Sequence, residues 1–176
     1  MQPTRTLTAH CTLSHPADGQ PLLTINNEHA KAEISLFGAH VLRYQRHSEP
    51  ASLWLSDKAV LDGSKPIRGG IPLCWPWFGP SPARVGSGKP AHGFARTSLW
   101  TLDGVSDHGD GTLVHLSLRD TDASRALWPH AFELELDVLV GKELSLVLTT
   151  RNTGKTPLTY NAALHTYLQI SAPEAV

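Results

Sequence analysis

This 176-residue sequence has few cysteines, almost no net charge and no long apolar run. Its two cysteines, Cys11 and Cys74, are too few for a disulfide framework, and they form no closely spaced metal-binding pair. The net charge of −1 offers no general attraction to nucleic acid or to an anionic membrane. No apolar run approaches the ~18 residues of a membrane span, and no apolar leader follows Met1. These absences predict a soluble, cytoplasmic protein with a single domain over residues 1–176.

Helical periodicity is also nearly absent, and alternation with a period of two takes its place. Apolar and polar residues alternate along 30–36, 114–118 and 132–140. After Gly141-Lys142, a predicted two-residue turn, the alternation resumes over 144–148, which indicates a β-hairpin. The one helical segment is 122–127, with Asp122 as its expected N-cap. Repeated short strands with almost no helix predict an all-β fold, an antiparallel β-sandwich.

The segment 160–170 alternates too, and its two faces differ in polarity. The face predicted to meet the core carries Tyr160, Ala162, Leu164, Thr166, Leu168 and Ile170. The face predicted to form a polar surface carries Asn161, Ala163, His165, Tyr167 and Gln169. His165 is therefore expected on a surface rather than in a packed interior. No closing strand follows in 171–176, which predicts an open sheet edge that self-association would cover.

Residues 67–96 concentrate arginine, histidine, tryptophan, glycine and proline. The prolines at positions 72 and 76 exclude a central strand, because proline has no N–H to donate to a neighbouring strand. The aromatic residues of this block have two interpretations, an apolar cap over the core or a groove wall that stacks on a sugar. The residues concerned are Trp75, Trp77 and Phe94.

Arg68 and Arg96 flank this block and are candidate anion ligands. A guanidinium is a rigid fork that pairs bidentately with carboxylate or phosphate, and Lys89 could add a flexible positive charge. The alternative for each arginine is an ion pair with a surface acid. His92 and His165 are candidate proton carriers, because imidazole titrates near neutral pH; the alternative for each is a solvated or core histidine. The histidines show no metal-ligand spacing, so no metal is expected.

Five segments together are similar to the hexose-6-phosphate mutarotases of the aldose 1-epimerase superfamily. They are 67–72 (IRGGIP), 75–79 (WPWFG), 92–96 (HGFAR), 126–132 (ALWPHAF) and 163–167 (ALHTY). The resemblance implies a galactose mutarotase-like β-sandwich, of the supersandwich type, with a sugar held in a concave groove. It also implies a cofactor-free interconversion of the α and β anomers of a hexose 6-phosphate, with glucose 6-phosphate the first choice.

The resemblance also implies roles for individual residues. His165 is the general acid that protonates the ring oxygen, His92 binds sugar hydroxyls, and Arg68 and Arg96 hold the phosphate. The family's catalytic glutamate and a substrate-binding aspartate lie beyond the position equivalent to His165, and Glu174 has no matching context. The chain is therefore expected to be the N-terminal portion of a mutarotase domain. A non-catalytic sugar-phosphate-binding domain and a plain β-sandwich interaction module are the other two hypotheses.

Overall fold

The computed structural model describes residues 4–171, which form three β-sheets, two short 3₁₀ turns and one short α-helix. The first sheet has the order β1-β2-β3-β4-β5, with every neighbouring pair antiparallel. Its strands are Arg5–Thr6, Cys11–Ser14, Leu22–Asn26, Ala30–Ser35 and His40–Arg46. A two-stranded sheet pairs β6, Leu73–Cys74, with β11, Ala163–Leu164. The 3₁₀ turns span Ala83–Val85 and Ala95–Thr97.

The remaining sheet has the order β10-β9-β8-β7 and is also antiparallel. Its strands, in chain order, are Thr101–His108, Gly111–Arg119, Phe132–Gly141 and Leu144–Asn152. The helix α1, Asp122–Leu127, connects β8 to β9. Of the described residues, no helix is long and apolar enough to cross a membrane.

The two large sheets pack face to face around one hydrophobic core. Alternate residues of β4 and β9 point into it and are buried, as the sequence pattern predicts: Ala30, Ala32, Ile34, Phe132, Leu134, Leu136, Val138 and Val140. A buried amide also joins the sheets, because Asn27 Nδ2 donates to Val140 O at 2.7 Å and to Thr112 Oγ1 at 3.1 Å. The prediction of an all-β antiparallel sandwich is confirmed.

The hairpin predicted between β9 and β10 is present, but its turn lies one residue later than predicted. Leu144 stands opposite Val140, and Gly141 still belongs to β9. Gly141 is required for a close approach of neighbouring chain, because a Cβ there would stand 2.1 Å from Asp110 O. The helix also starts slightly differently, since its N-cap is Thr121 and not Asp122. Thr121 and Ser124 form a reciprocal capping box, which satisfies two N–H groups at the helix start.

The orientation predicted for the segment 160–170 is wrong. Only β11 is regular strand, and an isolated bridge joins Leu53 to Leu168. Ala163, His165 and Tyr167 point toward the body and are half-buried. The opposite face is exposed, with Leu164 39% and Leu168 65% accessible. The physical reason is the way the segment is docked. The N–H groups of odd-numbered residues donate to the carbonyls of Ser52, Gly70, Pro72 and Pro76, and these bonds fix the segment in an orientation that leaves its even-numbered side chains in solvent.

Candidate active site

The two motif blocks of the sequence meet at Trp75 and Gly93. These residues form an isolated bridge, and Trp75 O accepts hydrogen bonds from Phe94 N at 3.0 Å and Ala95 N at 3.2 Å. Gly93 has a φ of 70°, and a Cβ there would stand 2.0 Å from Trp75 O. Only glycine therefore permits this contact, which places the backbone of His92 beside the 75–79 segment.

Trp75, Trp77 and Phe94 do not form a sugar-stacking wall. All three side chains are buried, and Trp75 is 0% exposed. Trp75 contacts four other aromatic rings of the core, with centroids 4.6–6.0 Å apart: those of Phe94, Trp128, Phe132 and Tyr160. The alternative interpretation, an apolar cap over the sandwich core, describes these rings correctly, because their large apolar area is removed from water.

His92 is held by a reciprocal pair of hydrogen bonds. Its N–H donates to Gly79 O at 2.7 Å, and its ring Nδ1 lies 3.1 Å from Gly79 N, from which it accepts. A ring that accepts at Nδ1 carries its proton on Nε2 when neutral. Partial burial lowers the pKa of His92 below its ordinary value, and the positive charges of Arg96 and His165 act in the same direction. At neutral pH His92 is therefore a neutral imidazole that can donate from Nε2.

His165 lies in a group of aromatic rings with His92. Their ring centroids are 6.4 Å apart, and the His165 ring is flanked by Phe78 at 5.9 Å and by Tyr167 at 4.9 Å. His165 N donates to Pro72 O at 3.0 Å, which holds the backbone against the 67–80 block. The ring Nδ1 is buried and has no hydrogen-bond partner among residues 4–171.

The two candidate arginines carry no ion pair to any acid of the described residues. Arg68 is exposed and precedes the Gly69-Gly70 turn. Arg96 donates from Nη2 to Ala91 O at 3.0 Å, while its buried Nε has no partner in residues 4–171. Within residues 4–171, neither Arg68 nor Arg96 therefore forms the surface ion pair that was its alternative interpretation. Lys89 is directed elsewhere, since its Nζ donates to Ala126 O at 3.1 Å.

Comparison with known proteins identifies the family of this chain. The family model described as "Aldose 1-epimerase" matches residues 21–176. The chain belongs to the aldose 1-epimerase family. Two curated relatives of the chain are both named "Putative glucose-6-phosphate 1-epimerase". The one from Escherichia coli (strain K12) is 36% identical over 153 residues, and the one from Cenchrus ciliaris is 36% identical over 149 residues.

Solved structures agree with this membership. The crystal structure of "a putative mutarotase (YeaD)" from Salmonella typhimurium superposes with a TM-score of 0.86 at 32% identity, over 96% of this chain and 55% of that chain. A galactose mutarotase-like protein from Lactobacillus casei superposes with a TM-score of 0.58 at 25% identity, over 74% of this chain and 44% of that chain. This epimerase-family chain spans about half the length of the curated relatives: 50% of the E. coli protein and 44% of the Cenchrus protein.

In this member of the aldose 1-epimerase family, the sequence analysis missed one candidate site residue, Phe78. Its side chain is 49% exposed, and its ring centroid lies 4.9 Å from that of His92. It therefore presents the solvent-facing aromatic ring that was expected of its tryptophan neighbours. The alternation of 71–77 offered no such signal, because residues on both of its faces are buried and exposure begins only at Phe78.

The described part of the site is rich in positive charge and imidazole and poor in carboxylate. The charges that act on His92 are those of Arg96 and His165. No carboxylate of residues 4–171 contributes to that set, and Glu174 lies outside the described residues. Two imidazoles, Arg96 and the exposed ring of Phe78 can bind an anionic polyol and move one proton. No contact of Arg68 with this group is found within residues 4–171.

Proposed function

We propose that this chain binds a hexose 6-phosphate and contributes the acid side of a mutarotase reaction that interconverts its α and β anomers. The observation that carries the proposal is the proximity of Arg96 to His92 and of His92 to His165, together with two arginines, Arg96 and the exposed Arg68, that pair with no acid of residues 4–171. The names of the relatives supply the substrate, glucose 6-phosphate.

Arg68 and Arg96 are assigned to the phosphate. Arg96 gives an Nη2 donor to Ala91 O, but neither guanidinium is neutralised by a carboxylate of residues 4–171, and phosphate accepts charge-assisted N–H bonds from the donors that remain. A site built to hold the phosphate disfavours a neutral hexose, because the arginines would remain unpaired with it. Phe78 is assigned to the apolar C–H face of the sugar ring, since it is the exposed ring beside both imidazoles.

His165 is assigned as the general acid. It delivers a proton to the ring oxygen while a base removes the proton of the anomeric hydroxyl, and the C1–O5 bond breaks to give the open-chain aldehyde. Rotation about C1–C2 and reclosure, with both proton transfers reversed, produce the other anomer. His92 donates from Nε2 to a sugar hydroxyl. No cofactor enters this scheme.

A second function, binding without catalysis, is favoured by one specific observation. The charges that act on His92 include no carboxylate of residues 4–171, so the scheme assigns no base within that range. A general acid or base contributes about 10²–10⁴-fold to a rate, so a chain with only one of the two would bind the sugar phosphate with little acceleration.

Calorimetric titration with glucose 6-phosphate, glucose and inorganic phosphate tests the binding step. We expect saturable binding of glucose 6-phosphate, weaker binding of glucose, and at least about tenfold weakening by Arg68→Ala, the loss of one charge-assisted contact. Arg119→Ala is the matched control, because Arg119 is paired with Glu133 on the outer side of the sheet. The proposal fails if the wild-type chain shows no saturable binding, or if both variants bind equally well.

Polarimetry of freshly dissolved α-glucose 6-phosphate separates the two functions. If the chain accelerates mutarotation, we expect His165→Ala to remove about 10²–10⁴-fold of that acceleration while binding persists. An unchanged rate in this variant would refute the role of His165. Binding without acceleration by the wild-type chain would support the second function.

A further inference from the structure

Residues 37–41 run between the two arginine-bearing segments of the site. A Cβ added to Gly38 would stand 2.7 Å from the Arg96 carbonyl oxygen, so this stretch lies directly against that segment. Gly38 and Ala39 have φ values of 80° and 46°. Two successive positive φ values turn the chain tightly against the Arg96 backbone just before β5 begins. The first residue of β5 is His40.

His40 bonds the other arginine-bearing segment from the inside. The side chain is 0% exposed, and its Nε2 lies 2.7 Å from the carbonyl oxygen of Gly69, the residue after Arg68. The N–H of the same peptide group, on Gly70, donates to Trp54 O at 2.8 Å. His40 therefore completes the hydrogen bonding of the Gly69–Gly70 peptide group, which lies one peptide beyond Arg68. A Cβ on Gly70 would stand 2.9 Å from His40 Nε2, so ring and turn are in close contact.

The His40 ring is neutral near pH 7. Burial lowers its pKa to about 4, against a smaller opposing effect of the Gly69 hydrogen bond, and the charge of Arg96 lowers it further. Because a carbonyl oxygen only accepts, the Nε2 of this neutral ring carries the proton. The ring thus bonds the turn after Arg68 and also lies within the electrostatic reach of Arg96.

We propose that His40 is a positioning residue for the anion site. Its Nε2–H holds the Gly69 carbonyl and so sets the direction in which Arg68 leaves the turn, at a fixed place relative to Arg96. This inference rests on the proposed function, in which both arginines bind the 6-phosphate. His40 itself is buried and does not touch the ligand.

A positioning role differs from a merely structural one in its ligand selectivity. If His40 acts through Arg68, its loss weakens binding of a sugar phosphate and leaves binding of the unphosphorylated sugar unchanged. Its effect also disappears once Arg68 is gone. A general loss of packing would weaken both ligands and would add to the Arg68→Ala effect.

The test is calorimetric titration of the 176-residue chain and its variants with glucose 6-phosphate and with glucose. We expect His40→Leu to weaken glucose 6-phosphate binding at least tenfold and to leave glucose within threefold. His40→Gln keeps an N–H donor and is expected to restore most of the phosphate affinity. His47→Leu is the matched control, because His47 Nε2 makes the same bond, at 2.7 Å to Asn27 O, away from the arginines.

The double variant with His40→Leu and Arg68→Ala is expected to bind glucose 6-phosphate as weakly as Arg68→Ala alone. If Arg68→Ala weakens glucose 6-phosphate binding but His40→Leu binds it with wild-type affinity, the inference about His40 is overturned and the proposed function stands. Equal weakening of both ligands by His40→Leu overturns it as well. Equal binding by Arg68→Ala and wild type contradicts the proposed function instead.

A measurement on the wild-type chain covers the case in which His40→Leu does not fold. Long-range ¹H–¹⁵N correlation spectra report which ring nitrogen of a histidine is protonated. We expect a neutral His40 with its proton on Nε2 at pH 7, and a shift of that signal when glucose 6-phosphate, but not glucose, is added. A proton on Nδ1, or a signal indifferent to saturating glucose 6-phosphate, overturns the inference.

Discussion

Acid should destabilise this protein through His40 in a way that one substitution can isolate. The ring is fully buried, and burial lowers its pKa from 6.5 to about 4. An unfolded chain returns this imidazole to water, where it takes up a proton at its ordinary pKa. Between these two values the unfolded state binds more protons than the folded state, so stability must fall as the pH falls.

The size of the effect follows from the shift itself. The folded pKa is the lower of the two, so the contribution of His40 is fully present above pH 6.5 and is lost as the pH falls toward about 4. With ~1.36 kcal/mol per pKa unit, the full loss is about 3 kcal/mol, of which about 2.5 kcal/mol is already lost near pH 4.5. Such a loss is a large fraction of a typical domain stability of ~5–15 kcal/mol.

Urea unfolding at pH 7 and near pH 4.5 measures this loss directly. The quantity to compare is the change in unfolding free energy between the two pH values, in the wild-type chain and in His40→Gln. The variant lacks the titrating group, so its change should be smaller by about 2.5 kcal/mol. Other histidines, including His92, contribute to both proteins and cancel in this difference.

His47→Gln is the control, because it also removes an imidazole that bonds a backbone carbonyl, but from an exposed residue. It is expected to keep the pH dependence of the wild type. If His40→Gln and wild type lose the same stability on acidification, the ring is not held neutral by burial. The physical reasoning about His40 would then be refuted, whatever its absolute effect on stability.

Three further perturbations test other parts of the structure. In urea unfolding, Gly93→Ala should lower the unfolding free energy by about 3 kcal/mol or more, because the new Cβ would meet Trp75 O at 2.0 Å. Gly86→Ala is the control, since Gly86 has a φ of 95° but open space around it, and it should cost only about 1–2 kcal/mol. Equal losses in the two variants would contradict the close contact at Gly93. Trp75→Ala should cost about 3–5 kcal/mol by the same measurement, and a loss below about 1 kcal/mol would disprove its place in the core. Light scattering should show that the wild-type chain associates as its concentration rises. Leu168→Lys should reduce this association, whereas Leu61→Lys, at an exposed leucine elsewhere, should not. A monomeric wild-type chain would refute the expected self-association.

Most of the fold was predictable because its strands bury one face each. In β4 and β9 the apolar positions recur at every second residue, and those residues are the buried ones. The turn after β9 was misplaced because glycine has two uses, positive φ and close approach. Gly141 serves the second, against Asp110 O, and no local pattern separates the two.

For the site, the sequence offers mainly charge. It favours Arg68 and Arg96 as anion ligands because both flank a glycine- and tryptophan-rich block in a protein of net charge −1, and their binding of a phosphate stays a prediction. The tryptophans were assigned to the wrong environment, since an aromatic side chain suits a groove and a core equally well. Which ring is exposed depends on the contact between Trp75 and Gly93, which joins residues far apart in sequence.

The reversed faces of 160–170 show why polarity alone can mislead at a binding site. Alternation establishes that two faces differ, and the usual assumption then points the polar face outward. Here the inward face carries His165 and Tyr167, whose rings contact Phe78 and Trp54 rather than aliphatic core. The proposed role of His165 requires its ring on the same side as Phe78 and His92, and the structure has it there. Polarity could not indicate this, because alternation separates two faces without saying which of them packs against the rest of the protein.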